Sequence, residues 1–274
     1  MKLGLGTVQF GQAYGVSNRT GQVSPDDVRT ILDRAAAAGL RVLDTAANYG
    51  EAESVLAKQD VQAFRIVTKT ATAKNGVDAV IARARQSARM LGADTLLVHA
   101  AADLQDEALW PALQLLKSEG VFSRIGISAY ASDDPAALAE RFRPDVMQLA
   151  VSMLDQRLIR DGTLTRLKDL NIEVHARSIF LQGLLFMDTL PQKLRHAAPA
   201  LADIKEQIIK AGSTPMAAAL GFALSRPEID VALVGVTQPM ELDDILECAA
   251  HPAPVLDWRA LALEDEIALT PSRW

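Results

Sequence analysis

Hydrophobic residues recur along this chain in two alternating patterns. Short runs of apolar and β-branched residues alternate with longer stretches in which apolar residues return every third or fourth position. The first pattern is typical of buried strands, and the second is typical of helices that pack on one face. The short runs predict eight strands, at Leu3–Gly6, Val42–Asp44, Ile66–Lys69, Thr95–His99, Ile125–Ser128, Val146–Leu149, Ile172–Ala176 and Val231–Gly235.

The stretches between the runs have the helical period. Val28, Ile31 and Leu32 fall on one helix face, and the same pattern returns over residues 77–84 and 242–249. Ser24 and Pro25 are residues typical of the first positions of a helix, so the first long helix is expected to begin there.

Eight repeats of strand and helix predict a parallel sheet closed into a (β/α)₈ TIM barrel. An open, doubly wound sheet has the same periodicity and stays an alternative. Two helical patterns lie between the last two strands, and the second, Pro215–Leu224, is apolar nearly all round and is expected to be buried on both sides. A further helix is expected after Trp258. Without a break in composition, residues 1–274 are interpreted as a single domain.

Composition narrows the function classes. The net charge of −6 argues against a nucleic-acid partner, which would favour a basic face. The single cysteine is typical of a reducing compartment. The sequence shows neither a signal-peptide pattern nor an apolar run long enough for a membrane span, so we expect a cytoplasmic protein. It predicts no metal site, and oligomeric state does not follow from it.

Ionisable side chains stand at the ends of three consecutive predicted strands. Asp44 closes the second strand and Tyr49 follows it, Lys69 closes the third strand, and His99 closes the fourth. Active sites of such barrels lie at the carboxyl ends of the strands. These four groups are therefore expected to converge.

Their chemistry suits proton transfer at a carbonyl group. A tyrosine ordinarily holds its proton at neutral pH, and a neighbouring ammonium stabilises the phenolate. Tyr49 could donate a proton to a carbonyl oxygen, Lys69 and Asp44 could support it, and His99 could orient that oxygen through a hydrogen bond. Reduction of the carbonyl would also need a hydride source.

The motifs around these residues resemble those of the aldo-keto reductase family. Their order and spacing match over essentially the whole chain: GLGTVQFG (4–11), LDTAANYGEAE (43–53), VTK (67–69), LLVH (96–99) and GIS (126–128). The resemblance implies that NADP(H) or NAD(H) binds at the barrel mouth and reduces a small-molecule aldehyde or ketone. In that scheme Tyr49 is the general acid/base, Lys69 and Asp44 tune it, and His99 orients the carbonyl. The Rossmann dinucleotide fingerprint is absent, because GLGTVQ lacks its third glycine and no helix is predicted before Ser24.

The resemblance also implies a set of cofactor contacts. Thr7 would lie at the floor, Ser128 and Gln148 would hold the nicotinamide amide, and Arg177 would take the place of an aromatic residue that stacks on the ring. Arg177 could instead face an anionic group of the substrate or cofactor, or form a salt bridge across the rim. The complete expected set is Gly6, Thr7, Asp44, Ser128, Gln148, Arg177, Ser178, Gly183, Gly235, Thr237 and Glu241.

Glu241 bears on which dinucleotide is used. It stands where the family often has a residue that binds the adenosine 2′-phosphate of NADP. A carboxylate repels a phosphate and accepts a hydrogen bond from a free 2′-hydroxyl. We therefore expect a weaker NADP preference than the family norm, with NAD as a usable cofactor.

The substrate region is expected near Phe10, Tyr14, Asn48 and His99, with His175 and Arg177 opposite. Aromatic residues make up only 5% of the chain, which favours a polar, sugar-like carbonyl substrate.

Two alternatives to a reductase stay open. Lys69 could form a Schiff base as in class I aldolases, although Asp44 beside it opposes the neutral amine. The barrel could also be a non-catalytic, cofactor-sensing regulatory protein.

Overall fold

The computed structural model describes residues 1–187 and 189–274. Eight parallel strands close into a barrel in sequence order, and β8 pairs with β1. The barrel prediction is confirmed and the open sheet is excluded. Each strand matches its predicted bounds to within one residue at either end. The strands are β1 (Leu3–Gly6), β2 (Val42–Asp44), β3 (Arg65–Lys69), β4 (Thr95–Val98), β5 (Arg124–Ala129), β6 (Val146–Ala150), β7 (Glu173–Arg177) and β8 (Val231–Gly235).

Helices surround the barrel, and side chains cap the starts of α2, α6 and α10. Ser24 caps α2, because its hydroxyl accepts a hydrogen bond from the Asp27 N–H at 3.2 Å. The α-helices are α1 (Val8–Gly11), α2 (Pro25–Ala37), α3 (Ala52–Leu56), α4 (Val77–Leu91), α5 (Leu109–Ser118), α6 (Pro135–Phe142), α7 (Arg157–Arg160), α8 (Thr163–Asp169), α9 (Ala198–Lys210), α10 (Pro215–Ser225) and α11 (Pro239–Ala250).

Short 3₁₀ helices lie in the connections, at Ala73–Asn75, Ala101–Gln105, Ala131–Asp133, Leu181–Phe186, Gln192–Ala197, Trp258–Leu261 and Pro271–Arg273. The two helices α9 and α10 confirm the extra helices expected between β7 and β8. The helix expected after Trp258 is only a short 3₁₀ turn, because the chain leaves it to place the Leu263 N–H on the Leu154 carbonyl oxygen at 2.9 Å. Helix α1 follows β1 directly, so the prediction of no helix before Ser24 is wrong.

Among the described helices, none is by itself long and apolar enough to cross a membrane. The segments Gln192–Lys210 and Pro215–Ser225 meet that criterion only as a pair, across a bend of 84°.

The barrel interior is apolar in the middle and polar at both ends. Strand residues alternate between facing the interior and facing the helices. The middle of the interior holds an apolar cluster of Val42, Val67, Leu97, Val146, Val231 and Leu233. At the amino-terminal end, Glu173 accepts hydrogen bonds from Arg65 and Arg124, the first residues of β3 and β5. We call these three residues and His175 the basal cluster.

Candidate active site

A cavity of about 490 Å³ opens at the carboxyl ends of the strands, and Asp44, Tyr49, Lys69 and His99 all line it. Its volume lies within the range of small-molecule sites. The convergence expected from the strand ends is therefore present in the structure, with His99 one residue beyond the end of β4.

Asp44 and Lys69 form a buried ion pair at the floor of the cavity. The Lys69 Nζ donates to the two Asp44 carboxylate oxygens at 2.7 and 2.6 Å, and to the Thr45 carbonyl oxygen at 3.0 Å. Burial alone would lower the pKa of Lys69, but the Asp44 carboxylate, and after it Tyr49, outweigh burial, and the pKa lies above its ordinary value. Lys69 is therefore a fixed cation.

Asp44 also binds the amide of Gln148. The Gln148 Nε2 donates to Asp44 Oδ1 at 2.6 Å, which fixes the orientation of the amide. The Gln148 Oε1 is buried without a hydrogen-bond partner among the described residues. Ser128 lies beside Gln148, because the two are partners in the β5–β6 register, and both line the cavity.

Tyr49 and His99 lie next to this pair. The Lys69 Nζ is 4.8 Å from the centre of the Tyr49 ring, and the Tyr49 and His99 rings meet edge to face with centres 5.7 Å apart. Burial, followed by the charge of Lys69, lowers the pKa of His99 to about 4. The imidazole is therefore neutral at pH 7. The Asn48 Nδ2 lies 3.5 Å from its Nδ1.

Two glycines fix the loop that bears Tyr49. Gly50 has φ +53°, and a Cβ on it would come within 2.4 Å of the Gly11 carbonyl oxygen. A Cβ on Gly11 would in turn come within 1.9 Å of the Tyr49 carbonyl oxygen. The Glu51 N–H donates to the Gly11 carbonyl oxygen at 3.1 Å, so the loop lies directly on the backbone of α1. Larger residues at either position would displace Tyr49.

Glu53 ties the same loop to the strand of Lys69. This buried carboxylate on α3 accepts hydrogen bonds from Thr68 Oγ1 at 2.6 Å and Ser87 Oγ at 3.0 Å, and it pairs with Arg83. Thr68 immediately precedes Lys69 on β3. The network therefore joins Tyr49 and Lys69 through the outer face of the barrel.

The expected cofactor contacts all line the cavity: Gly6, Thr7, Asp44, Ser128, Gln148, Arg177, Ser178, Gly183, Gly235, Thr237 and Glu241. Gly6 and Gly235 are register partners on β1 and β8. A Cβ on Gly235 would come within 2.8 Å of the Gln9 Nε2, so the glycine there leaves room for the Gln9 side chain, which also lines the cavity. The structure thus groups these residues in one place, and their contacts with a cofactor stay predictions.

Glu241 is turned back onto its own helix. In the first turn of α11, its carboxylate accepts hydrogen bonds from the Thr237 N–H at 2.6 Å and the Thr237 Oγ1 at 3.0 Å. The negative charge thus lies at the positive end of the helix dipole. Among the described cavity-lining residues, Lys69 and Arg177 are the only lysine and arginine. Neither lies beside Glu241, so no lysine or arginine among these residues offsets its charge.

The loop after β7 is strained and meets the loop after α1. Ser178, Leu181 and Gln182 have φ of 59°, 44° and 53°, in the left-handed region that non-glycine residues rarely adopt. The Gln182 Nε2 donates to the Tyr14 hydroxyl at 3.3 Å, and Gly183 packs against Ser17. The two loops therefore touch across the cavity.

Arg177 ends β7 and points into the cavity. Its guanidinium carbon is 4.2 Å from the centre of the Tyr130 ring, and its Nη2 donates to the Ala129 carbonyl oxygen at 3.3 Å. No carboxylate oxygen in the described part of the chain lies within 4.0 Å of it, so the rim salt bridge considered from the sequence is not observed there.

The substrate residues expected from the sequence separate into two groups. Tyr14 and Asn48 line the cavity with His99. Burial, and then the neighbouring Tyr49 and Tyr130, raise the pKa of Tyr14. Phe10 does not line the cavity: it is fully buried, because the turn of α1 directs its ring into the hydrophobic core.

His175 is also misplaced by the sequence prediction. It is fully buried inside the barrel, and its Nε2 is 2.7 Å from Glu173 Oε1, so it belongs to the basal cluster and not to the mouth. Sequence reasoning missed Tyr130 and Gln9, which line the cavity. Each follows the end of a strand closely, so the strand-end rule applied to β5 and β1 would have found them.

Comparisons with known proteins agree with the barrel fold. The model of the aldo/keto reductase family matches residues 2–262. The aldo-keto reductase AKR11C1 from Bacillus halodurans, in its holo form, superposes with a TM-score of 0.76 at 20% identity, covering 95% of this chain and 90% of that one. PA4992 from Pseudomonas aeruginosa superposes with a TM-score of 0.66 at 21% identity, covering 91% and 89%. No curated protein sequence matches.

The structural likenesses, at about one residue in five identical, establish the fold. The family model reaches further, since it matches 2–262 of 274 residues. The chain belongs to the aldo/keto reductase family of NAD(P)-dependent oxidoreductases.

Proposed function

We propose that the cavity binds NADH or NADPH and reduces an aldehyde or ketone to the alcohol. The main observation is the meeting of Asp44, Lys69, Tyr49 and His99 within one cavity, delivered by β2, β3 and β4 and the loops that follow them. The set contains a proton donor, a fixed cation and a neutral hydrogen-bond donor, which are the groups that carbonyl reduction needs besides hydride.

The cavity suits a nicotinamide dinucleotide. The Gln148 Oε1 is a buried acceptor without a partner in the described part of the chain, which costs about 1–3 kcal/mol. The amide N–H of a nicotinamide would satisfy it, and Ser128 stands beside it as a second polar contact. Thr237 and Glu241, which follow β8, line the same cavity, and an adenosine would extend toward them. The dinucleotide, when bound, supplies hydride to the carbonyl carbon.

Tyr49 would give its hydroxyl proton to the carbonyl oxygen as that oxygen becomes an alkoxide. The phenolate left behind lies beside the Lys69 ammonium, whose Nζ is 4.8 Å from the ring centre. Asp44 holds the ammonium through two short hydrogen bonds, so the cation cannot turn away. A proton from solvent then restores Tyr49.

His99 would donate a hydrogen bond to the same oxygen. Its pKa of about 4 keeps the ring neutral across the physiological range, so one nitrogen carries the proton. The Asn48 amide next to Nδ1 favours the proton on Nε2. A neutral donor orients the carbonyl without competing with Tyr49 to protonate it.

Glu241 supports use of NADH. Its carboxylate would repel the 2′-phosphate of NADPH. Among the described residues, Lys69 and Arg177 are the lysine and arginine that line the cavity, and neither lies beside Glu241 to offset this repulsion. We expect NADH to be a usable cofactor, with at most a weak preference for NADPH. Michaelis constants for the two dinucleotides test this, and a preference for NADPH of about a hundredfold (about 2.8 kcal/mol) would contradict it.

The geometry disfavours the Schiff-base alternative. A nucleophilic amine must be neutral, whereas Lys69 has a raised pKa and donates hydrogen bonds to Asp44 and to the Thr45 carbonyl oxygen. The proposed substrate keeps the polar character expected from the sequence, because Tyr14, Asn48 and Tyr130 place polar groups at the mouth.

The direct test combines binding and turnover. Titration with NADH and NADPH, followed by quenching of tryptophan fluorescence, measures cofactor affinity in the wild type and in Tyr49→Phe. We expect Tyr49→Phe to lower turnover of an aldehyde by about 10²–10⁴-fold while affinity for the dinucleotide stays nearly the same. Unchanged turnover refutes the role of Tyr49. Binding without turnover of any carbonyl compound would favour a regulatory barrel, and no binding at millimolar concentration would remove the hydride source.

A further inference from the structure

We propose that Arg177 recognises an anionic group of the substrate, so that the preferred substrates are aldehydes or ketones bearing a carboxylate or phosphate. The inference rests on the proposed reductase function. It concerns which carbonyl compounds that site selects, and a separate measurement can overturn it.

Arg177 lies on the reacting side of the cavity. Arg177 is the register partner of Ala150 on β6, the strand that also bears Gln148. Its side chain contacts the Ala129 carbonyl oxygen at the end of β5 and the Tyr130 ring that follows. Burial is the main cause of the low pKa of His99, and the charge of Arg177 adds to it. That charge also opposes the rise in the pKa of Tyr14. The guanidinium is therefore close to both His99 and Tyr14, which line the proposed substrate region.

The guanidinium has donors to spare. It presents five N–H groups, and the structure accounts for one hydrogen bond, to the Ala129 carbonyl oxygen. The Tyr130 ring covers one face and fixes its plane, which leaves the edge available. No described carboxylate lies within 4.0 Å of it. A partly buried cation without a counter-charge favours an anionic ligand, and the planar fork matches a carboxylate or phosphate.

Among the described residues that line the cavity near Tyr49 and His99, Arg177 is also the charged group without an opposite charge beside it. Lys69 is neutralised by Asp44, and His99 is neutral at pH 7. Glu241 is at the far end, bonded to Thr237. The chain as a whole has a net charge of −6, so this positive site is local and does not reflect a generally basic surface. An anionic substrate would be oriented with its charge on Arg177 and its carbonyl toward Tyr49.

The experiment compares matched pairs of aldehydes that differ in charge. The carboxylate pairs are 4-carboxybenzaldehyde with 4-methylbenzaldehyde, and succinic semialdehyde with butanal; the phosphate pair is glyceraldehyde 3-phosphate with glyceraldehyde. The readout is the ratio of kcat/KM for the anionic member to that for the neutral member. The three pairs together distinguish carboxylate from phosphate recognition.

We expect the wild-type ratio to exceed unity by about 10- to 100-fold in the carboxylate pairs, the phosphate pair, or both, and to fall by a similar factor in Arg177→Gln. Arg177→Lys should restore it in part, because a lysine keeps the charge and loses the fork. The matched control is Arg141→Gln: Arg141 also lies over an aromatic ring, that of Phe142 at 4.8 Å, but does not line the cavity. Its ratio should equal that of the wild type.

Failures of the two proposals are distinguishable. If neutral and anionic aldehydes are reduced equally well, the anion inference is wrong and the reductase function stands. If Arg177→Gln weakens NADH binding and leaves the ratio unchanged, Arg177 serves the cofactor and the inference is wrong. If no aldehyde is reduced, the reductase function fails, and calorimetric titration with 4-carboxybenzyl alcohol then decides the anion site: weaker binding to Arg177→Gln than to the wild type supports it, and equal binding overturns it.

Discussion

The neutral His99 predicts how the stability of this protein depends on pH. Burial first, and then the charge of Lys69, lowers the pKa of His99 from 6.5 to about 4 in the folded protein. Unfolding returns the ring to its ordinary pKa. Between those two values the unfolded chain binds a proton that the folded protein does not bind, so the free energy of unfolding must fall as the pH falls through this window.

The size follows from the separation of the two pKa values. Each unit corresponds to about 1.4 kcal/mol, so the full effect is about 3.5 kcal/mol, of which about 3 kcal/mol is reached at pH 4. At pH 4.5 it is about 2.5 kcal/mol, and above pH 7 it is absent. Such a loss is a large share of the ~5–15 kcal/mol by which a typical domain is stable.

Glu173 acts in a separate window. Burial would raise its pKa, but hydrogen bonds from His175 and Arg65 outweigh that and hold the pKa at about 2, against an ordinary 4.5. The stability that Glu173 contributes is present above pH 4.5 and is lost as the pH falls toward 2. The slope between pH 4.5 and 6.5 is therefore informative about His99.

Urea unfolding at intervals between pH 7.5 and 4.5 measures this slope for the wild type, His99→Gln and His251→Gln. Because other groups titrate as well, the quantity of interest is the difference between wild type and variant at each pH. His99→Gln should lose less stability on acidification by about 2.5 kcal/mol at pH 4.5. His251 is exposed, and its variant should keep the wild-type slope. The reasoning is refuted if His99→Gln and the wild type decline in parallel.

Two further predictions concern charged residues. Asp44→Asn leaves the Lys69 ammonium buried without its counter-charge, so it should destabilise the fold by about 3–5 kcal/mol in urea unfolding. Glu206→Gln, which breaks the exposed pair with Lys210, should leave the free energy of unfolding nearly unchanged. Equal losses of unfolding free energy in the two variants would show that the buried Asp44–Lys69 pair contributes no more stability than an exposed pair. Glu241→Arg replaces a repulsive charge with an attractive one at the adenosine end, so it should lower the KM for NADPH relative to NADH by about tenfold, and an unchanged KM ratio would place the 2′-phosphate elsewhere.

The sequence predicted the barrel and the position of its reactive groups because both depend on short-range regularities. Strand and helix periods alternate without interruption, and a residue at the carboxyl end of a parallel strand faces the mouth of the barrel whatever its neighbours are. Asp44, Lys69 and His99 follow from this rule, and Tyr49 follows because its loop is too short to take it far from β2.

The wrong predictions concern how deep a side chain lies in the barrel and which way it points, and both depend on single residues. The predicted end of β7 at Ala176 placed His175 next to the rim. The strand instead ends at Arg177, so His175 lies two positions before the strand end, one deeper than predicted, and bonds Glu173. The turn of α1 directs Phe10 inward, although its neighbours suit a loop at the mouth. The bonds of Glu241 to Thr237 depend on a side-chain conformation that no sequence pattern reports.

The apolar cluster across the middle of the barrel separates the groups proposed for catalysis from a polar structural cluster at the opposite end. Above it lie the groups proposed for chemistry, and below it the basal cluster of Arg65, Arg124, Glu173 and His175 joins the starts of alternate strands. A substitution at a rim position such as Tyr14 therefore leaves the hydrogen bonds of the basal cluster in place. Directed evolution toward new substrates can begin at such positions, as long as Tyr130 is kept to hold Arg177 and the buried Asp44–Lys69 pair is left intact.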